Sequence, residues 1–141
     1  MKKAAQFKLC NWSLVGLAIL TLVSSIQLEV SGDARGIPVW LHIIVATLFV
    51  AFIIFHIELH FQWKNWFSRF SNVKSPVTRI LWWLFIFTAL TGIISLCLWI
   101  YSPAHYHFGA VHGKIGFVMI ALAVGHTLKR IKFFKRKATL K

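Results

Sequence analysis

Residues 39–59 read VWLHIIVATLFVAFIIFHIEL, a run whose single formal charge, Glu58, lies at its end. At 1.5 Å per residue a helix of this length spans roughly 30 Å, the thickness of a bilayer's hydrocarbon core. Three other stretches share this character: Trp12–Val30, Ile80–Tyr101 and Val111–Leu128, the last interrupted by Lys114 and His126. Hydrocarbon offers no water to backbone amides, so a crossing segment must satisfy them internally as a helix. The connections Ser31–Pro38, Gln62–Arg79 and Ser102–Ala110 are short, and each contains a proline. Short connections favour antiparallel neighbours. The expected fold is all-α: an integral membrane four-helix up-down-up-down bundle, one domain over 1–141, with helices at about 12–30, 39–62, 79–101 and 111–130.

The composition agrees. Of 141 residues, 58% are hydrophobic and only 13% charged, a poor fit to a soluble protein. Met1-Lys2-Lys3 before an apolar run also resembles a secretory leader. This run is longer than a leader's apolar core, and its exit at Ile26–Gly32 lacks an A-x-A-like cleavage site, so helix 1 is expected to be retained.

The net charge of +13 is distributed by side. Lys2, Lys3 and Lys8 precede helix 1, Lys64, Arg69, Lys74 and Arg79 separate helices 2 and 3, and seven more lie from Lys129 to Lys141. The opposite side carries only Arg35 and Lys114. Such a bias places both termini in the cytoplasm of a multi-pass protein, here expected in a bacterial inner membrane. The basic excess therefore reads as topology and affinity for anionic lipid, not as a nucleic-acid interface. Cys10 and Cys97 fall on opposite sides under this topology, and no C-x-x-C-H is present to attach haem covalently.

Ionisable side chains inside a bilayer are costly, so the histidines demand a reason. His42 and His56 are fourteen residues apart on helix 2, and His112 and His126 are fourteen apart on helix 4. Fourteen steps of 100° fall about 40° short of whole turns, so each pair shares a face, separated by ~21 Å along the axis. Helices 2 and 4 run in the same direction, which matches His42 with His112 near the outer surface and His56 with His126 near the inner one. Facing imidazoles across a bundle core are an axial ligand set for haem iron, so two non-covalent b haems are expected. Ala46 on helix 2 and Gly116 and Ala123 on helix 4 lie on the same faces and leave room for a flat macrocycle; Gly16 and Gly92 offer further clearance. Taken singly, such small residues are also ordinary packing positions of membrane helices.

Zinc needs three or four converging ligands, which two distant pairs do not supply. The scarcity of carboxylates likewise leaves a di-iron site unsupported. His60 shares the face of His42 and His56 and rivals His56 by rotation, but only His56 reproduces the 112/126 spacing; His60 then remains for a haem propionate, a quinone or a lipid phosphate. Lys64, Lys129 and Arg130 supply cations for propionates at the inner end. His105 and His107, in the outer loop, are either a quinone or partner contact or a solvated pair. The seven tryptophans read mainly as interfacial anchors.

The stretches Trp40–Trp63, WLHIIVATLFVAFIIFHIELHFQW, and Val111–Arg130, VHGKIGFVMIALAVGHTLKR, resemble the flavinylation-associated cytochromes, a bacterial family of four-helix membrane proteins. The family's H-x-x-x-[HN]-x-x-W exit corresponds here to His56, His60 and Trp63, whereas helix 4 leaves as His126-Thr-Leu-Lys-Arg-Ile-Lys and departs from it. Respiratory cytochrome b also spaces histidine pairs similarly on its second and fourth helices. The resemblance implies a membrane electron conduit, fed by quinol, that serves an extracytoplasmic flavin-bearing or other redox partner. It is expected to be an electron-transfer subunit of an oxidoreductase and not a self-sufficient enzyme. The competing assignments are a quinone-reactive cytochrome b subunit of a respiratory oxidoreductase and a haem-free membrane anchor subunit.

Overall fold

The computed structural model describes residues 3–32, 36–61, 68, 72, 75–101 and 107–136, and within them all side chains except those of 3, 4, 61, 107, 108 and 130–136. The described chain is all-α. It has four helices: α1 (Lys3–Ser31), α2 (Ile37–Phe61), α3 (Pro76–Tyr101) and α4 (His107–Arg136). Each is long and apolar enough to cross a membrane, over Ala5–Ser31, Ile37–His60, Pro76–Tyr101 and Gly109–Lys129.

The helices outrun the apolar stretches that announce them. α1 begins nine residues before Trp12, because Lys, Ala, Gln and Leu favour helix without favouring lipid. α4 continues to Arg136, eight residues beyond Leu128. Its start at His107 also takes the last four residues of the expected loop Ser102–Ala110 into helix.

The ends follow from local chemistry. Pro76 opens α3, where a missing N–H costs nothing, and the Arg79 N–H donates to the Ser75 carbonyl at 3.3 Å. α1 ends on Gly32, whose φ of +59° is the left-handed conformation of a helix stop. The Gly32 N–H closes that turn onto the Leu28 carbonyl at 3.2 Å.

The chain divides into two compact units, Met1–Asn72 and Val73–Lys141. The first contains the hairpin α1–α2. Its partners run antiparallel: Phe7 meets His60, the Cys10 thiol donates to the Phe52 carbonyl at 3.8 Å, and Ser24 meets His42. The second contains α3–α4, where Thr88 lies opposite both His112 and Gly116. Among the described residues few side chains are buried: Cys10, Thr21, Ser24, Val39 and Phe49 in the first unit, Met119 and Ile120 in the second. Many large apolar residues on every helix are exposed, as lipid-facing helices require.

Several hydroxyls on these helices donate to their own backbone. Thr21 donates to Leu17 O at 2.7 Å, Thr47 to Ile43 O at 2.7 Å and Thr127 to Ala123 O at 2.9 Å. This back-bonding keeps polar side chains tolerable in hydrocarbon. The two cysteines are free thiols.

Candidate functional site

Two histidine-bearing faces turn inward within their hairpins. On α2, Phe49 is buried and His42, Ala46, Ile53 and His56 are half-buried; on α4, Met119 is buried and His112, Gly116, Ala123 and His126 are half-buried. Their neighbours Ile44, Leu48, Phe55, Val111, Val118 and Leu128 are exposed. The fourteen-residue periodicity thus marks the less exposed face of each helix.

His112 is held against α3. Its Nδ1 lies 3.0 Å from the Thr88 carbonyl and 3.4 Å from Thr91 Oγ1. A carbonyl only accepts, so Nδ1 carries the proton and the ring's lone pair resides on Nε2. Gly92 makes this position possible. A Cβ there would come within 2.9 Å of His112 Cε1 and 3.2 Å of Nδ1, closer than such atoms approach. The clearance expected at Gly92 is therefore taken by the imidazole itself. Gly116 packs the same seam, since a Cβ would stand 3.7 Å from the Thr88 methyl, whereas nothing lies within 4 Å of Gly16's missing Cβ.

His42 occupies the corresponding place in the first hairpin. Its Nδ1 lies 3.1 Å from Ser24 Oγ and 3.4 Å from Ser25 Oγ. Both hydroxyls are placed to donate to the Thr21 carbonyl, at 2.9 and 2.8 Å. Interhelical side-chain hydrogen bonds in membranes contribute on average ~0.6 kcal/mol, so these contacts orient more than they stabilise.

The two surroundings have one pattern. Thr21-Leu-Val-Ser24-Ser25 and Thr88-Ala-Leu-Thr91-Gly92 both read T-x-x-[ST]-[SG]. In the first, the Ser24 hydroxyl donates to the Thr21 carbonyl at 2.9 Å; in the second, Thr91 Oγ1 lies 3.1 Å from the Thr88 carbonyl and closer, 2.7 Å, to that of Phe87. In each, that hydroxyl oxygen also reaches the Nδ1 of the first histidine of the facing helix, His42 or His112. The histidines alone suggest a two-fold echo on the returning helices. The repeat on α1 and α3 escaped the sequence reading, although its small and hydroxylated residues at matched intervals were the available signal.

At the other end of the first hairpin the His56 and His60 rings stand 4.5 Å apart between centroids, and Phe7 meets His60 edge-on at 4.9 Å. In the second, His126 borders an open cavity of about 420 Å³ with Ser75, Val77, Leu122, Gly125 and Lys129 among its walls. Aligning His42 with His112 pairs His56 with His126 and His60 with Arg130. His105 and Lys64 lie outside the described residues. His107 opens α4 and Arg130 lies within it, but neither side chain is among those described.

Among the described residues no three His, Cys, Asp or Glu side chains converge on one point, the arrangement that a structural zinc site requires. The hydrogen bonding of His112 has the chemistry of a metal-ligating imidazole. A metal-bound imidazole typically donates its second N–H to a carbonyl or hydroxyl, as His112 does to Thr88. Each expected ligand pair takes one histidine from each unit. Comparison of the chain with protein families, characterised proteins and solved structures finds no match.

Proposed function

We propose that this chain is a transmembrane di-haem b-type cytochrome, the membrane subunit that passes electrons to a separate redox partner. The observation that carries the reading is the doubled fourteen-residue spacing, His42/His56 and His112/His126, on two helices that can each cross a membrane. The Nδ1–H of His112, held by a backbone carbonyl, supports it by directing the Nε2 lone pair to a metal. His42 and His112 would hold the outer haem, His56 and His126 the inner one. A haem held by these histidines would supply one-electron exchange.

The chain's own residues do the rest. The flanking helices exclude water, which with nearby charge sets the redox potential. Lys129, beside His126, offers a cation for a propionate. The positive-inside bias orients both termini toward the cytoplasm of a bacterial inner membrane. The donor in this reading is quinol and the acceptor an extracytoplasmic flavoprotein, which rests on the resemblance to flavinylation-associated cytochromes.

The test is a reduced-minus-oxidised absorbance spectrum of the purified chain, with pyridine haemochrome quantification. Two b haems per chain are expected. A colourless protein from haem-replete cells would overturn the reading in favour of a haem-free anchor subunit.

A further inference from the structure

The paired T-x-x-[ST]-[SG] segments lead beyond the ligands to what holds them. Imidazole has two tautomers, and only the one protonated at Nδ1 presents its lone pair at Nε2. In the second hairpin the Thr88 carbonyl fixes that choice for His112 at 3.0 Å. In the first hairpin side chains take that place: the Ser24 hydroxyl lies 3.1 Å from His42 Nδ1 and that of Ser25 3.4 Å. A hydroxyl has one proton. That of Ser24 is directed to the Thr21 carbonyl, 2.9 Å away, so its oxygen accepts from His42. Ser24 is only 2% exposed and cannot turn to water.

We propose that Ser24, seconded by Ser25, is a positioning residue that holds His42 in the Nδ1–H tautomer with Nε2 presented as the ligand. It is the side-chain counterpart of the Thr88–Thr91 cradle around His112. The chain from the His42 N–H through the Ser24 hydroxyl to the Thr21 carbonyl also polarises the ring and strengthens its donation to a metal. The inference rests on the di-haem reading for its purpose, but the tautomer is a property of the chain itself.

Three consequences separate this role from mere packing. Removing both hydroxyls in Ser24→Ala/Ser25→Ala removes the acceptor of the His42 N–H. Ser24→Thr keeps it, since threonine already fills the equivalent place at position 91. His112, in the other hairpin, is untouched and serves as an internal reference.

The experiment is ¹⁵N NMR of the full-length chain, purified and reduced, with histidine labelled and His42 assigned by its loss in His42→Asn. In the wild type, His42 should be protonated at Nδ1. In the double alanine variant that N–H should move to Nε2 where no metal binds, or shift to the position of a weaker hydrogen bond where one does. Ser24→Thr should restore the wild-type resonance, and His112 should stay constant throughout. A wild-type His42 protonated only at Nε2, or an Nδ1–H indifferent to the double substitution, would overturn the assignment. Haem content of the same sample is a separate readout: its absence would count against the di-haem reading and leave the tautomer result standing.

Discussion

Replacing Gly92 with alanine, beside the same change at Gly16, tests the His112 seat with an internal control. At Gly92 the new methyl would lie 2.9 Å from His112 Cε1, against ordinary carbon–carbon contacts of about 3.5–4.0 Å. The ring must therefore retreat from α3 by about 0.6 Å or more. Thr88 also sits on α3, so a retreat of that size stretches the 3.0 Å bond to about 3.6 Å, beyond hydrogen-bond range. Overpacking of this kind costs about 1–3 kcal/mol. The lost interhelical bond adds ~0.6 kcal/mol. Alanine's advantage over glycine in a helix returns about 0.5–1 kcal/mol, too little to reverse the sign. Gly16 has nothing within 4 Å, so there only the propensity gain remains. Gly92→Ala is expected to lower the thermal unfolding midpoint in detergent and to weaken the His112 Nδ1–H bond seen by NMR. Gly16→Ala should leave both unchanged or raise the midpoint slightly. Equal midpoints, with His112 undisturbed in Gly92→Ala, would refute the seat described here.

Other substitutions probe the remaining features. His42→Ala and His112→Ala should each remove the same haem, leaving matching difference spectra; spectra of two different residual haems would separate them. At the inner end, His56→Ala should abolish the second haem whereas His60→Ala should retain both, measured as haemochrome per chain, and the reverse result would move the ligand to His60. Cys10 is 1% exposed against α2, so Cys10→Phe should destabilise the first hairpin by about 1–3 kcal/mol while Cys10→Ala costs less, read as thermal midpoints.

The helices were legible because bilayer thickness and backbone hydrogen bonding leave an apolar run little choice. Hydropathy marks only the crossing, however, and the helical extension at Lys3–Asn11 and the early start of α4 at His107 lie where lipid no longer dictates composition. The inward faces of α2 and α4 followed from histidine spacing, and Phe49 and Met119 lie buried on them. The groups that orient those histidines were harder to see. Thr88 acts through its backbone carbonyl, which no side-chain pattern advertises, and Ser24 and Thr91 look like ordinary small packing residues. Gly92 drew notice for its missing side chain, but which ring fills the space depends on a contact twenty residues away in sequence.

Electron passage across a sealed membrane tests the central claim most directly. The chain is reconstituted into vesicles with ferricyanide trapped inside, and dithionite is added outside. Ferricyanide bleaching is expected at a rate well above that of empty vesicles, and should fall to that background in His42→Ala and His126→Ala. Wild-type vesicles that bleach no faster than empty ones would contradict the account.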